Sequence, residues 1–189
     1  MRRLFLGLVL FSFYLNAQTT TYNPPKEPIY TDEQLEAFRY YAEYDRELDA
    51  IAHQFVKDVK DQLDIDLDFS TIEVYAFDYT ILDDAWGKPT DERKISERII
   101  GLATGMYNDN EVLVLINKDK MASLTFSALK STVYHELMHD VFNYEHHMED
   151  GKLMSRSLSK ADNNINYVED AIQEAFDNVY YGEHQNHKH

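Results

Sequence analysis

Tyr134-His135-Glu136-Leu137-Met138-His139-Asp140 holds two histidines four residues apart, with a glutamate directly after the first. On a helix, residues four apart lie on one face, one turn from each other. His135 and His139 can therefore direct two imidazoles at one metal ion. Glu136 is rotated about 100° from His135 and can sit beside that ion without ligating it. Two neutral imidazoles and an adjacent carboxylate suit a hydrolytic Zn²⁺ site, with Glu136 as general base on metal-bound water. A catalytic zinc also needs a third protein ligand and an open position. His146 is the candidate ligand. In a straight helix it would share the face of His139 but lie about 10 Å further along the axis. The chain must therefore turn first, and Asn143 is the residue there best able to take the left-handed conformation that ends a helix. Glu145 and His147 remain open as alternatives.

The residues around the motif predict its helix. Phe126, Leu129, Val133 and Leu137 recur every three to four positions and form a buried stripe. His135 lies roughly 200° round the helix from that stripe. On its own face Ala128, Ser131 and Thr132 are small, which leaves room above a cleft. Thr125 or Ser127 caps the helix start. Asp140 has two readings: an exposed acid, or an acceptor that orients a ligand imidazole.

The stretch resembles the zincin metalloproteases and, within them, the metzincins, whose pattern is H-E-x-x-H-x-x-G-x-x-H followed by a methionine-containing turn. Phe142 stands where the glycine belongs and Glu145 where the third histidine belongs. Shifting the turn by one residue repairs both, with Asn143 in the glycine's role and His146 in the ligand's. Gly151-Lys152-Leu153-Met154-Ser155 then resembles the Met-turn, with Met154 beneath the metal; core filler is the plainer reading of that methionine. The stretch also resembles a group of small secreted bacterial zinc metalloproteases with the signature H-E-[LI]-G-H-D-x-x-N-x-x-H. Asp140, Asn143 and His146 fit it, and Met138 replaces the usual glycine. The resemblance covers about residues 110 to 155. It implies a zincin fold and peptide-bond hydrolysis. A rival scheme comes from the gluzincin class, where a Glu on a later helix is the third ligand; Glu169 or Glu174 could play that part.

The rest of the chain supplies the frame. Thr31 with Gln34 makes a capping box. Leu35, Phe38, Tyr41, Leu48, Ile51, Phe55, Val59 and Leu63 then keep a helical period, which predicts one long helix from Thr31 to about Leu63, bent near Asp45. His53 on it reads as a surface or core histidine. Ile72 to Phe77 alternates like a strand. Arg98 to Met106 and Glu111 to Asn117 read as two strands joined by Tyr107-Asn108-Asp109-Asn110. The run Val112 to Ile116 is continuously apolar, as in a strand buried on both faces or packed on the active-site helix. In metzincin-like folds the strand before that helix borders the cleft, and the resemblance implies that extended peptide adds to it. Trp86, in a loop from Asp78 to Ser96, reads as a core plug or a cleft residue. Tyr167 to Tyr181 predicts a closing helix.

Arg2 and Arg3 ahead of the apolar run Leu4 to Leu15 read as a secretory signal peptide cut after Ala17, the run being too short to span a bilayer. An uncleaved anchor is the other reading of it. Removing both arginines takes the formal charge from −16 to −18. Nucleic acid and anionic membranes repel such a polyanion. The chain has no Cys, so it has neither disulfides nor a cysteine-linked lipid. The expected organisation is a signal peptide over 1–17, an extended proline-bearing lead-in over 18–30, a zincin-like domain over 31–182 and a His-rich tail over 183–189. The expected fold is α+β: a single zincin-type domain with a small, mostly antiparallel or mixed sheet packed on a long N-terminal helix and an active-site helix. The expected protein is secreted or periplasmic and bacterial, without stable membrane insertion. It acts as a zinc metalloendopeptidase on peptide or protein substrates, with His135, His139 and His146 as ligands and Glu136 as catalytic base. The alternatives are a catalytically inactive zincin-like binding module and a metal buffer built on His184, His187 and His189.

Overall fold

The computed structural model describes residues 30–85, 99–104, 112–142, 144, 146, 153–154, 173 and 176–177. The predicted signal peptide and lead-in before Tyr30, Trp86, the predicted turn at 107–110 and the His-rich tail lie outside the described residues. Glu169 and Glu174 of the predicted closing helix lie outside them too.

The first helix, α1, spans Asp32–Tyr41 and begins on the predicted capping box: Gln34 N–H donates to Thr31 Oγ1, and Thr31 N–H to Gln34 Oε1 at 2.9 Å. The single long helix expected from the periodicity does not form. Ala42 is extended and ends α1. A second helix, α2, spans Arg46–Leu63. Two competing partners break the run. Asp45 Oδ1 caps α2, accepting from Glu47 N–H at 2.8 Å and Leu48 N–H at 3.1 Å, and a capping side chain favours a helix start over continuation. Glu43, extended between the helices, exchanges two backbone hydrogen bonds with Ala76 at 2.8 and 3.0 Å. That pairing covers part of a sheet edge whose backbone groups would otherwise lack protein partners.

After a 3-10 turn at Phe69–Thr71, strand β1 runs Ile72–Phe77 as expected. A short helix α3 (Thr80–Ala85) follows. Strand β2 (Gly101–Ala103) and strand β3 (Val112–Asn117) are antiparallel, Gly101 opposite Ile116 and Ala103 opposite Val114. β1 and β3 are parallel, Ile72 opposite Val112 through Phe77 opposite Asn117. The sheet is therefore mixed, in the order β1-β3-β2. Asn117 closes β3 and opens a one-turn helix, α4 (Lys118–Met121), by accepting from Asp119 N–H. The motif helix, α5, spans Phe126–Phe142, and Thr125 Oγ1 accepts from Ala128 N–H as predicted for its start.

Strand alternation explains the apolar run of β3. Val114 and Ile116 pack with α2 and α5, together with Ile72, Val74 and Ala76 of β1. Leu113 and Leu115 face the other way, onto Leu35 and Phe38 of α1, Phe77, Tyr79 and Leu82. β3 is thus buried on both faces, as its composition implied. The result is one α+β domain with helices on both faces of a three-stranded sheet. Phe176, helical in the part of the closing helix that is described, is buried against Phe55 of α2.

α5 sits at the centre and is buried on every side from Ser131 to Asp140. A helix buried all round has no polar face to give to water. Two expectations change accordingly. Phe126 does not join the stripe of Leu129, Val133 and Leu137; it is exposed in the first turn, before the helix enters the core. Ala128, Ser131 and Thr132 do not leave an open space; they are buried, and Thr132 Oγ1 donates back to Ala128 O.

Candidate metal centre

α5 carries His135 and His139 one turn apart. The chain leaves the helix after Phe142 and turns back, with Tyr144 N–H donating to Met138 O at 3.2 Å. That turn brings His146 to the other two histidines, as the spacing required. Asn143, Glu145 and His147 lie outside the described residues.

The three Nε2 atoms form a nearly equilateral triangle: 3.1 Å between His135 and His139, and 3.2 Å from each of them to His146. Three nitrogens held tetrahedrally at about 2.0–2.1 Å from one ion lie about 3.3–3.4 Å apart. The observed spacing fits that arrangement to within a few tenths of an ångström. Among the described residues these three are the one group of His, Cys, Asp or Glu side chains close enough together to hold a metal ion.

Proton positions support the same reading. His135 Nδ1 lies 2.6 Å from Leu153 O, and His139 Nδ1 lies against Tyr144 O. A carbonyl oxygen only accepts, so in each ring Nδ1 carries the hydrogen. Burial holds both rings neutral: it pulls the His135 pKa from 6.5 down to about 4 and that of His139 down to about 3, in the latter case helped by the neighbouring His135. A neutral ring protonated on Nδ1 has a bare lone pair on Nε2. Two such lone pairs point into a space 3.1 Å wide, where a cation satisfies both. His135 and His139 are buried and His146 is exposed, so the cluster is reached from solvent on the His146 side.

The acceptors that orient the rings are backbone carbonyls, which sequence reasoning missed. Asp140 is not an exposed acid: it is buried, and its Oδ2 accepts from Leu113 N–H at 3.2 Å and ties α5 to the start of β3. Leu153 and Met154 form a buried turn, and the peptide carbonyl that precedes Met154 is the one that fixes His135. Met154 packs within the core cluster that includes α5.

Glu136 is not part of the triangle. Its carboxylate lies against β2, with Oε2 accepting from Ala103 N–H at 3.0 Å. Burial raises its pKa from 4.5 to about 8; the Ala103 N–H works against that rise, and the Asp140 charge adds to it. His53 is exposed on α2 and stacks on Phe69, away from the cluster. Comparison of the chain with protein-family models, with curated proteins and with solved structures finds no match to any of them.

Proposed function

We propose that this chain is a zinc-dependent metallopeptidase of zincin type, with His135, His139 and His146 as ligands and Glu136 as general base. The observation that carries the reading is the convergence of three Nε2 atoms at 3.1–3.2 Å, with a buried glutamate next in sequence to the first ligand. Imidazole nitrogens in a tetrahedral spacing suit Zn²⁺ among the common divalent ions. When bound, zinc supplies a Lewis acid that polarises the scissile carbonyl and acidifies a water at its open position.

The chain's own groups do the rest. His135 and His139 present bare Nε2 atoms because Leu153 O and Tyr144 O hold their Nδ1 protons, and such partners raise ligand basicity. Glu136 is anchored through Oε2 on Ala103, which leaves Oε1 to take a proton from water and return it to the leaving amine. The apolar segment behind Arg2 and Arg3 supports export as part of the same proposal. Among the described residues no helix is long and apolar enough to cross a membrane.

The test pairs metal analysis with hydrolysis. Purified protein should carry about one zinc per chain, and His146→Ala should lose it or hold it far more weakly. Glu136→Gln should keep the zinc and lose about 10²- to 10⁴-fold in hydrolysis of a mixed peptide library. A zinc-loaded wild type that cleaves nothing in the library would sink the peptidase reading and leave a metal-binding protein. Undiminished zinc in His146→Ala would remove His146 from the ligand set.

A further inference from the structure

The placement of Glu136 depends on β2 in a way that the motif does not record. Among the described residues β2 is an edge strand. Its ladder bonds to β3 are made at Thr104, whose N–H donates to Leu113 O at 2.9 Å, and at Ile100, whose carbonyl accepts from Asn117 N–H at 2.8 Å. Backbone groups in an antiparallel pair alternate in direction along the strand. Leu102 therefore turns its N–H and C=O toward β3, while Gly101 and Ala103 turn theirs to the open side. The outward N–H of Ala103 is the one that Glu136 Oε2 takes.

Gly101 lies beneath the same side chain. A Cβ built there would stand 2.7 Å from Glu136 Cγ, 2.8 Å from Oε1 and 3.0 Å from Cδ. Carbon atoms in contact sit at about 3.5–4.0 Å. No side chain fits at 101 while Glu136 stays where it is. Gly101 and Ala103 face α5 together, since their partners Ile116 and Val114 pack against that helix. One residue thus makes the space and the other supplies the donor.

We propose that Gly101 and the outward N–H of Ala103 are the positioning elements of Glu136, holding its carboxylate at a fixed place beside the three-histidine cluster. The proposal rests on the metallopeptidase reading for its consequence, but the contact itself exists with or without catalysis. A base displaced by about 1 Å loses on the order of 100-fold in rate. The edge position also makes a clean variant possible. Proline is tolerated where a strand's N–H faces away from the ladder, so Ala103→Pro removes the donor to Glu136 and no sheet hydrogen bond.

The experiment is NMR on the full chain, zinc-loaded and zinc-free, labelled with ¹⁵N-alanine and with ¹³C at the glutamate carboxyl. Glu136 is assigned by the resonance lost in Glu136→Gln. In wild type the Ala103 amide should be protected from exchange. In Gly101→Ala that protection should fall about tenfold, as for a lost hydrogen bond. In Ala103→Pro the Glu136 carboxyl resonance should move while zinc content stays at the wild-type value. A merely structural role for these residues would leave the Glu136 resonance in place. Wild-type Ala103 protection in a folded Gly101→Ala protein overturns the proposal. If that variant does not fold, an unmoved Glu136 resonance in Ala103→Pro overturns it. Failure to bind zinc or to cleave peptide, with these NMR shifts present, would remove the metallopeptidase reading and leave the positioning contact standing.

Discussion

At the residue scale the site is a set of groups that burial forces into one protonation state. His135 and His139 are held neutral, at about 4 and about 3 against 6.5, while Glu136 is held protonated up to about 8 against 4.5 in the metal-free chain. The signs of the linkage are opposite. For a buried histidine with a lowered pKa, the unfolded state takes up the proton first, so stability falls as pH drops below about 6.5 and continues to fall toward the folded values. For Glu136, with a raised pKa, stability is fully present below about 4.5 and is lost as pH rises through about 8. Metal-free Glu136→Gln should therefore gain stability relative to wild type across pH 4.5 to 8 and hold a constant difference on either side. Urea melts in chelator at several pH values measure it. A difference that does not change across that window would mean that Glu136 is not buried in its ionisable form.

The same scale shows where sequence reading ends. Two ligands and the base lie within five residues, so helical spacing alone places them. His146 needed a turn, and Tyr144 N–H bonding back to Met138 O is that turn. The groups that fix the proton positions were invisible because they are peptide groups: Leu153 O, Tyr144 O and Ala103 N–H exist whatever the side chains are. Gly101 carried a weak signal, as a glycine inside a strand pattern that marks close approach of another group.

At the scale of elements, the legible features were those with a local cause. The capping box at Thr31, the cap at Thr125, strand β1 and the doubly buried β3 each follow from a few neighbouring residues. The break between α1 and α2 did not follow, because the 3.6-residue period runs through it: Leu35 and Phe38 before the break and Leu48 and Ile51 after it are all buried. What ends α1 is partly distant, in the pairing of Glu43 with Ala76 across 33 residues of chain, and partly the cap at Asp45. Removing that cap isolates the local half. Asp45→Ala should cost about 1 kcal/mol, the usual loss for an N-cap aspartate, read as a shift in the urea midpoint with an unchanged slope. No loss would mean that Glu43 pairing alone sets the break. A second tie binds α2 to α5, where Tyr134 Oη donates to Asp58 Oδ2 at 2.6 Å from a ring packed edge-on against Phe55. Tyr134→Phe keeps the ring and leaves Asp58 half-buried without that donor. It should destabilise by about 1.5–3 kcal/mol, the range for hydrogen bonds to charged groups, and Asp58→Asn, which keeps an acceptor, should destabilise less.

At the scale of the whole molecule, the cluster draws on three neighbouring segments of the chain, all within residues 135–153. α5 brings two rings, the turn at Leu153 fixes one of them, and the segment after Phe142 brings the third ring and the carbonyl that fixes the other. With no Cys there is no covalent crosslink to hold these segments together. A metal ion bound by all three histidines is a crosslink of that kind, and it is absent from the unfolded chain, where the rings are scattered. A ligand that binds only the folded state stabilises it by RT ln(1 + [L]/Kd), about 4 kcal/mol at a thousandfold excess over Kd. For a domain of this size each kcal/mol moves the melting temperature by roughly 2–4 °C. Chelation should therefore lower Tm by on the order of 10 °C, and added Zn²⁺ should restore it. His146→Ala, with two ligands left on one helix, should melt near the chelated value and respond weakly to zinc, because two rings on α5 alone tie no other segment to the helix. Equal zinc-induced shifts in wild type and His146→Ala would mean that the ion is held without the segment after α5, and the crosslink argument would fail with it.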